Sequence, residues 1–260
     1  MKKTMIALLL ITAILSATPA NAESKFTDVD ATKYAWATGS IDFMVASGVV
    51  KGYPDGTFKP DKPVTKAEFA HMYHLLFPSV DNGSDKALKF NDAKKHWAAL
   101  DIAALFNGDD SWLFADYDGN ILPDKQLTRW DVAMLTAFLT TQLNASVDAA
   151  GNYITCDEIF STISSTFKDV PVKRMTKNDS LEDSLNFYAP VIFYDDNFDG
   201  TLIYDGDGAQ LKAEAIYSII KANVMAGADG YFRPKAKVTR AEAVTILNRV
   251  NTILQGGENR

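Results

Sequence analysis

The fold of this 260-residue chain is decided by one stretch, which runs Gly52-Tyr53-Pro54-Asp55-Gly56-Thr57-Phe58-Lys59-Pro60 and continues to Thr65-Lys66-Ala67-Glu68. The same signature returns twice, as Asp118-Gly119…Pro123…Thr128-Arg129-Trp130-Asp131 and as Asp229-Gly230…Pro234…Thr239-Arg240-Ala241-Glu242. In each copy the Pro follows the Asp by five residues and the Thr follows it by ten. Repetition at a fixed register indicates small units that bury their apolar faces against one another.

An aromatic residue two positions before an Asp opens each unit, as in Phe26…Asp28, Phe90…Asp92 and Phe167…Asp169. From the opening Asp to the acidic residue after Thr there are 40 residues in the first unit (28 to 68), 39 in the second (92 to 131) and 73 in the third (169 to 242). The third unit therefore holds an insertion of roughly 33 residues (73 − 40), near 171–208. We divide the chain into repeats at 23–80, 88–145 and 165–252.

The N-terminus predicts export. Met1-Lys2-Lys3 precedes an apolar run from Met5 to Ala17, and Ala20-Asn21-Ala22 resembles a cleavage site. A secretory signal peptide over 1–22 is the interpretation, with an uncleaved membrane anchor as the alternative. The mature chain is expected to have no membrane insertion, and its single Cys156 excludes an intramolecular disulfide.

The net negative charge of the chain limits the classes of molecule that it is expected to bind. The net charge is −7, and loss of Lys2 and Lys3 with the signal peptide makes it −9 (−7 − 2). A field of this sign repels nucleic acid and anionic lipid, and no basic stripe with interleaved aromatic residues offsets it. We therefore expect no nucleic acid partner, and any anionic ligand must meet a few local cations.

Capping boxes predict where three helices begin. In this motif the Thr side chain accepts from the amide three residues on, and the acidic side chain bonds back to the Thr amide. The pairs are Thr65–Glu68, Thr239–Glu242 and, with a shorter acidic arm, Thr128–Asp131. An apolar stripe at helical spacing follows each cap, such as Phe69, Met72, Tyr73 and Leu76 in the first unit. The sequence predicts a mainly α fold in which three equivalent helices pack as a bundle.

These motifs resemble the S-layer homology family. The first unit is a nearly complete copy, with Phe26, Asp28, Trp36, Gly52 to Pro60 and Thr65 to Glu68, while the second keeps Trp97 but carries Trp130-Asp131 in place of Ala-Glu. The resemblance covers nearly all of the chain after the signal peptide. It implies three helix-loop-helix repeats in a pseudo-threefold arrangement around a central three-helix bundle.

The residue after each capping Thr is a cation, namely Lys66, Arg129 or Arg240. A cation at a helix start opposes the macrodipole, whereas free amides there favour an anion. On one interpretation, the cation and the free amides together form an anion-binding site. On the other, each cation pairs with a nearby carboxylate such as Asp28, Asp92 or Asp169.

The resemblance implies that the grooves between repeats bind a secondary cell-wall polysaccharide whose terminal sugar carries a pyruvate ketal. The residues that it assigns to ligand contact are Asp28, Trp36, Lys66, Asp92, Trp97, Arg129, Asp169 and Arg240. For Trp36 and Trp97, plain core packing is the alternative. The third repeat has Leu211 where a Trp would stand, so one or two working grooves are expected rather than three. The sequence also predicts that Arg129→Ala and Arg240→Ala weaken wall binding more than Lys66→Ala.

Two further patterns have simpler interpretations. Asp195-Asp196-Asn197-Phe198-Asp199-Gly200 matches the first half of a calcium-binding loop but has Gly206 at the twelfth position, so a solvated acidic turn is preferred. His71 and His74 stand three apart without a third ligand, so no metal and no cofactor is predicted.

The predicted function is non-covalent anchoring at the bacterial cell surface, with the chain secreted and held at the cell wall or S-layer and without enzyme activity. The alternatives are a wall-modifying or glycan-cleaving enzyme and a peptidoglycan-binding outer-envelope protein. The oligomeric state is left open.

Overall fold

The computed structural model describes residues 25–108, 114–116, 118–140, 143, 154–170, 172–174, 188–190 and 206–257. The signal peptide, the Asp195–Asp199 segment and most of the insertion near 171–208 lie outside these residues, and the predictions made for them stay predictions.

The described chain is mainly α-helical, as predicted. Its helices are α1 (Ala35–Ala46), α2 (Lys66–Leu76), α3 (Ala99–Phe106), α4 (Arg129–Leu139), α5 (Cys156–Thr166), α6 (Gly206–Lys221) and α7 (Arg240–Gly257), with one 3-10 turn at Asn91–Ala93. Two short strands, β1 (Val172–Arg174) and β2 (Tyr188–Pro190), pair antiparallel with Lys173 opposite Ala189.

Helices α2, α4 and α7 begin at the residue after the capping Thr, so the predicted helix starts are confirmed. Thr65 Oγ1 accepts from the Glu68 amide at 3.1 Å, and the Glu68 carboxylate accepts from the Thr65 amide at 3.0 Å. The same reciprocal bonds join Thr128 to Asp131 and Thr239 to Glu242. Each box satisfies two amides that a helix start leaves without partners.

Helix α5 was not predicted from the sequence. It begins after Thr155, whose side chain accepts from the Glu158 amide, and it lies between the second and third repeats. Thr155…Glu158 has the spacing of a capping pair, which was the available signal. Ile159 and Ile163 on α5 are buried, and the Tyr217 hydroxyl of α6 donates to Glu158 at 2.6 Å, so α5 extends the packed face of the third repeat.

The helices pack in a cyclic order. The second helix of each repeat lies against the first helix of the next, giving the pairs α2 with α3, α4 with α6, and α7 with α1. The first helices present apolar faces to these contacts, such as Ala37, Ile41 and Met44 on α1. Burying one Ile or Met side chain stabilises the fold by about 1.5–3 kcal/mol.

A closed ring of backbone hydrogen bonds joins the three repeats. The residues directly before the three capping Thr residues are Val64, Leu127 and Val238, and all are buried. Val64 N donates to Val238 O, Val238 N to Leu127 O, and Leu127 N to Val64 O, each at 3.0 Å. The same bond therefore recurs at equivalent positions of the three repeats, and the pseudo-threefold arrangement itself stays a prediction. Within the described residues α2 also packs on α7, while a central bundle of all three second helices stays a prediction.

Candidate functional site

The opening Asp of each repeat holds the turn of its own repeat. Both carboxylate oxygens accept from consecutive backbone amides, at 2.7 Å each for Asp28 and for Asp169 and at 3.2 and 2.8 Å for Asp92. The donors are Phe58 and Lys59, Phe232 and Arg233, and Ile121 and Leu122, respectively. Charge-assisted bonds of this kind are about twice as strong as neutral ones. The Asp is therefore a structural residue of the loop, and its contact with sugar hydroxyls stays a prediction.

The second amide of each pair belongs to a residue in the left-handed backbone region. Lys59, Leu122 and Arg233 have φ of 57°, 52° and 56°. For a residue with a side chain this conformation costs roughly 1–2 kcal/mol. The carboxylate offsets the cost, which explains why a turn with a strained residue recurs together with an upstream Asp, 31 and 30 positions before it in the first two repeats and 64 positions before it in the third.

The helix-start amides are not free to bind an anion, and this part of the prediction is wrong. The first two amides of each second helix donate to carbonyls of the next repeat, at 2.8–3.0 Å. The pairs are Lys66 with Lys125 O, Ala67 with Pro123 O, Arg129 with Ala236 O, Trp130 with Pro234 O, Arg240 with Lys62 O, and Ala241 with Pro60 O. The sequence could not reveal this, because the acceptors come from a different repeat.

The helix-start cations bridge the repeats. Each donates to the carbonyl of the residue at the start of the next repeat's turn: Lys66 Nζ to Phe114 O at 2.9 Å, Arg129 Nη2 to Ala226 O at 2.7 Å, and Arg240 Nη2 to Lys51 O at 2.6 Å. Among the described residues none of the three is hydrogen-bonded to an opening Asp. The alternative prediction, pairing with a nearby carboxylate, is wrong for the named Asp28, Asp92 and Asp169 but holds for Arg129, which forms an ion pair with Glu242 at 2.9 Å.

Arg129 is the most fully engaged of these cations. Its Nε donates to Phe232 O at 2.7 Å and its Nη1 to Glu242 at 2.9 Å, and the guanidinium lies 5.0 Å from the Phe232 ring centroid. Only 12% of its side chain is exposed. All three guanidinium nitrogens therefore have partners in the third repeat.

Arg240 is less fully engaged. Its guanidinium lies 4.6 Å from the Phe58 ring centroid and 5.6 Å from that of Tyr53. Its Nε is buried and has no hydrogen-bond partner among the described residues. Desolvation by burial lowers the pKa of Arg240, and it lowers the pKa of Lys66 to about 8 against the attraction of Asp131.

Trp36 and Trp97 are surface residues, so the core-packing alternative is wrong. They occupy equivalent positions, one residue before a buried Ala and five before a buried Ile; Trp36 lies on α1, and Trp97 lies just before α3. Their side chains are 52% and 61% exposed. Exposed indole rings at the same place in two repeats form flat apolar surfaces beside the helix pairs.

The groove between α2 and α3, which we call groove A, combines Trp97 with polar side chains of both repeats. His74 Nδ1 lies 2.8 Å from Asp101 Oδ1, and His71 Nδ1 lies 2.9 Å from Asp101 Oδ2. The His71 ring meets the Trp97 ring edge-on at 5.4 Å between centroids. These histidines were dismissed as metal ligands from the sequence, and their place in a groove was not predicted.

The groove between α7 and α1, groove B, has a neutral version of the same contact. Asn248 Nδ2 donates to Ser40 Oγ at 3.2 Å. Asn248 follows its capping Thr by nine residues, as His74 does, and Ser40 follows Trp36 by four residues, as Asp101 follows Trp97. The two polar pairs are therefore equivalent by repeat position.

The contact between α4 and α6, groove C, lacks both features. The positions equivalent to His74 and Asp101 are Ala137 and Ala215, and the position equivalent to the Trp is Leu211. Met134 of α4 and Ala215 are buried. The side chains at these equivalent positions are apolar, and the expectation of one or two working grooves stays a prediction.

The structure thus brings each predicted cation to a junction between repeats and leaves both Trp side chains on the surface, while the opening Asp residues lie in the turns. A family model, the S-layer homology domain, matches residues 25–70 and 206–244, which contain the first and third of these turns. The chain contains S-layer homology domains. The second repeat, which the model does not match, is recognised by its Asp92 turn and its Thr128 capping box.

The curated relatives that this chain resembles are longer than it is. The chain is 27% identical over 204 residues to a cellulosome-anchoring protein of Acetivibrio thermocellus, covering 77% of this chain and 34% of that protein. It is 30% identical over 140 residues to S-layer protein EA1 of Bacillus anthracis, covering 54% and 15%. It is 33% identical over 120 residues to an uncharacterised cell wall amidase of Bacillus anthracis, covering 45% and 21%. This S-layer homology chain therefore spans about a third or less of these relatives.

The S-layer homology domains, together with the anchoring and S-layer relatives, place the chain among proteins of the cell surface. Within the part of the chain that the structure describes, no helix has the length and hydropathy needed to cross a membrane. The same part contains no cluster of three or more His, Cys, Asp or Glu side chains arranged to hold a metal ion.

Proposed function

We propose that this chain is anchored non-covalently at the bacterial cell surface by secondary cell-wall polysaccharide bound in grooves A and B. The observation that carries the proposal is the pair of exposed rings, Trp36 and Trp97, each at a junction where a polar pair joins two repeats. The names of the anchoring and S-layer relatives support the same role.

The proposed contacts follow from the chemistry of the grooves. An exposed indole offers a flat apolar surface to the C–H face of a sugar ring, and the neighbouring amide, hydroxyl and imidazole groups exchange hydrogen bonds with sugar hydroxyls. Groove B also lies between the repeats that Arg240 joins. Because Arg240 Nε is buried and Nη2 bonds to Lys51 O, the remaining N–H groups of its two Nη atoms are the ones proposed to meet an anionic group such as a pyruvate ketal.

The helix-start cations do not contribute equally to this proposal. Arg129 binds backbone and carboxylate groups of the third repeat through all three nitrogens, next to a groove that lacks a Trp. Its main role is to join repeats. Lys66 begins α2, one of the helices of groove A, and within the described residues its side chain makes one hydrogen bond, to Phe114 O. Arg240→Ala is therefore the cation substitution expected to weaken binding most directly.

The test is sedimentation of the purified protein with wall sacculi, before and after extraction of the secondary polymer, using wild type, Trp36→Ala, Trp97→Ala and the double variant. Each single substitution should weaken binding by about 10-fold, and the double variant should bind no better than background. Leu100→Ala removes a 77%-exposed apolar side chain without a ring and serves as the matched control.

The outcomes separate the possible functions. Unchanged binding by the double variant would overturn the assignment to grooves A and B. Equal binding to extracted and unextracted sacculi would assign the ligand to peptidoglycan instead. Solubilised glycan fragments in the supernatant, lost on substitution of a carboxylate, would support the enzyme alternative that the amidase-named relative suggests.

A further inference from the structure

All three histidines of the chain lie in groove A. His71 and His74 project from α2, and His96 precedes α3. The Trp97 ring lies between His71 and His96, with both imidazole centroids 5.4 Å from its own. Every side chain of the chain that normally changes charge between pH 5 and 8 is thus gathered around one proposed sugar-binding ring.

The hydrogen bonds determine what each imidazole of α2 presents to the groove. An ionised carboxylate only accepts hydrogen bonds, so the Nδ1 atoms that face Asp101 carry protons in both His71 and His74. The atom that changes is Nε2, which accepts when the ring is neutral and donates when it is protonated. No described residue bonds to either Nε2 atom.

The charged partners of these rings among the described residues are three carboxylates, while Lys94 and Lys95 precede His96 in the sequence and Lys125 follows Asp124. Asp101 faces both rings from α3, Asp81 lies near His74 in the loop after α2, and Asp124 bonds to His96 Nε2 at 3.2 Å. Helix α7 also packs on α2, but its charged side chains Arg240, Glu242 and Arg249 bond to other segments. With neutral histidines these three carboxylates contribute a charge of −3, and protonation of three histidines brings the sum to zero.

Groove B provides the comparison within the same molecule. Where groove A has His74 and Asp101, groove B has Asn248 and Ser40, and where groove A has His71, groove B has Thr245. None of these three side chains titrates. The Thr245 hydroxyl is buried and donates to Ala241 O at 2.8 Å.

We propose that His71 and His74, held by Asp101, are specificity-determining residues that make groove A an acid-responsive site for the anionic part of the wall polysaccharide. With neutral imidazoles the groove accepts hydrogen bonds from uncharged hydroxyls and repels anions through its carboxylates. With protonated imidazoles the two Nε2 atoms donate to a ligand carboxylate or phosphate. Groove B keeps the same ligand preference throughout this pH range. The inference rests on the proposed function.

The experiment measures affinity for the extracted wall polysaccharide by titration calorimetry at about pH 5.5 and about pH 7.5. Both proteins, the background protein and a comparison variant derived from it, carry Trp36→Ala, which is expected to weaken polysaccharide binding in groove B, so that binding in groove A dominates the measured heat. The comparison variant adds His71→Thr, His74→Asn and Asp101→Ser, which copies the groove B side chains into groove A. Both proteins share the remaining titratable groups, so any general effect of pH on the net charge cancels between them.

The background protein should bind about 10-fold more tightly at the lower pH, and the comparison variant should change by less than about 2-fold. The gain should disappear with the same polymer after mild acid hydrolysis of its ketal pyruvate. Equal pH dependence in both proteins, or an equal gain with the neutral polymer, would overturn the inference. Absence of binding by the wild-type protein at both pH values would overturn the proposed function and the inference with it.

The comparison variant could fail to fold, so a second measurement addresses the wild-type protein directly. NMR titration of the three imidazoles, with and without the polysaccharide, reports proton uptake at each ring. Binding of an anion to Nε2–H should shift the His71 and His74 titrations to higher pH. Identical titrations in the presence of bound polysaccharide would overturn the inference.

Discussion

Arg129→Ala should destabilise the protein far more than its place at an exposed helix start suggests. The substitution removes hydrogen bonds to Phe232 O, Glu242 and Ala226 O at 2.7–2.9 Å, together with the stacking of the guanidinium on Phe232. The side chain is 12% exposed and that of Glu242 28%, so water replaces these contacts only in part.

The magnitude follows from these contacts. Each hydrogen bond to a charged group contributes about 1.5–3 kcal/mol, and three on one side chain are not additive. Breaking a buried ion pair costs about 3–5 kcal/mol, which partial exposure of Glu242 reduces. We expect the unfolding free energy to fall by about 2–4 kcal/mol, and the melting temperature by about 4–15 °C for a chain of this size.

Urea denaturation followed by circular dichroism measures the change, with Lys66→Ala as the matched variant. Lys66 occupies the same position in its repeat, but its side chain makes one hydrogen bond within the described residues, to Phe114 O, so its loss should cost about 1.5 kcal/mol, the lower end of the same range. Arg129→Lys should lie between wild type and Arg129→Ala, because an ammonium cannot serve three acceptors in different directions. A loss below about 0.5 kcal/mol for Arg129→Ala would refute the view that this cation joins the second and third repeats.

Three further predictions concern the same elements. Asp28→Ala should lower the unfolding free energy by about 2–3 kcal/mol, because the Phe58 and Lys59 amides lose their acceptor, and a loss as small as that of the exposed Asp55→Ala would contradict this. Burial lowers the pKa of Lys66 in the folded protein to about 8, from its ordinary 10.5. Between pH 8 and 10.5 the unfolded chain therefore binds more protons than the folded one, so the unfolding free energy of wild type should rise with pH relative to that of Lys66→Met. Parallel pH profiles of the two unfolding free energies would contradict this prediction. Trp36→Ala and Trp97→Ala should leave the unfolding free energy, measured by thermal denaturation, within about 0.5 kcal/mol of wild type. A melting temperature lowered by several degrees in either variant would disprove this.

The features that the sequence predicted correctly are local ones. A Thr and an acidic residue three positions later are enough to place a helix start, because both hydrogen bonds of a capping box are made within four residues. The apolar stripe after each cap predicts which face of the helix is buried, because it too depends only on residues three and four positions apart. Thr155 and Glu158 carry this signal as well, but they lie outside the repeat signature, so α5 was not predicted.

The features that the sequence did not reveal are contacts between repeats. The amides of Lys66 and Ala67 are free in an isolated helix, and only the neighbouring repeat brings the carbonyls of Lys125 and Pro123 to them. The pairing of His74 with Asp101 likewise depends on which helices become neighbours. Once the cyclic order is known, repeat positions alone identify Asn248 and Ser40 as the corresponding pair.

The ring of Val64, Leu127 and Val238 also bears on how the chain folds. Its last bond joins residues 174 apart (238 − 64), so the ring closes only after most of the polypeptide is available. Contacts of such separation slow folding, and an N-terminal fragment would retain unpaired amides and carbonyls at residue 64. Loop-closure entropy, however, grows only with the logarithm of length. Adding roughly 33 residues to a loop of about 141 costs about 0.2 kcal/mol, so the third repeat can acquire new segments at almost no cost to closure.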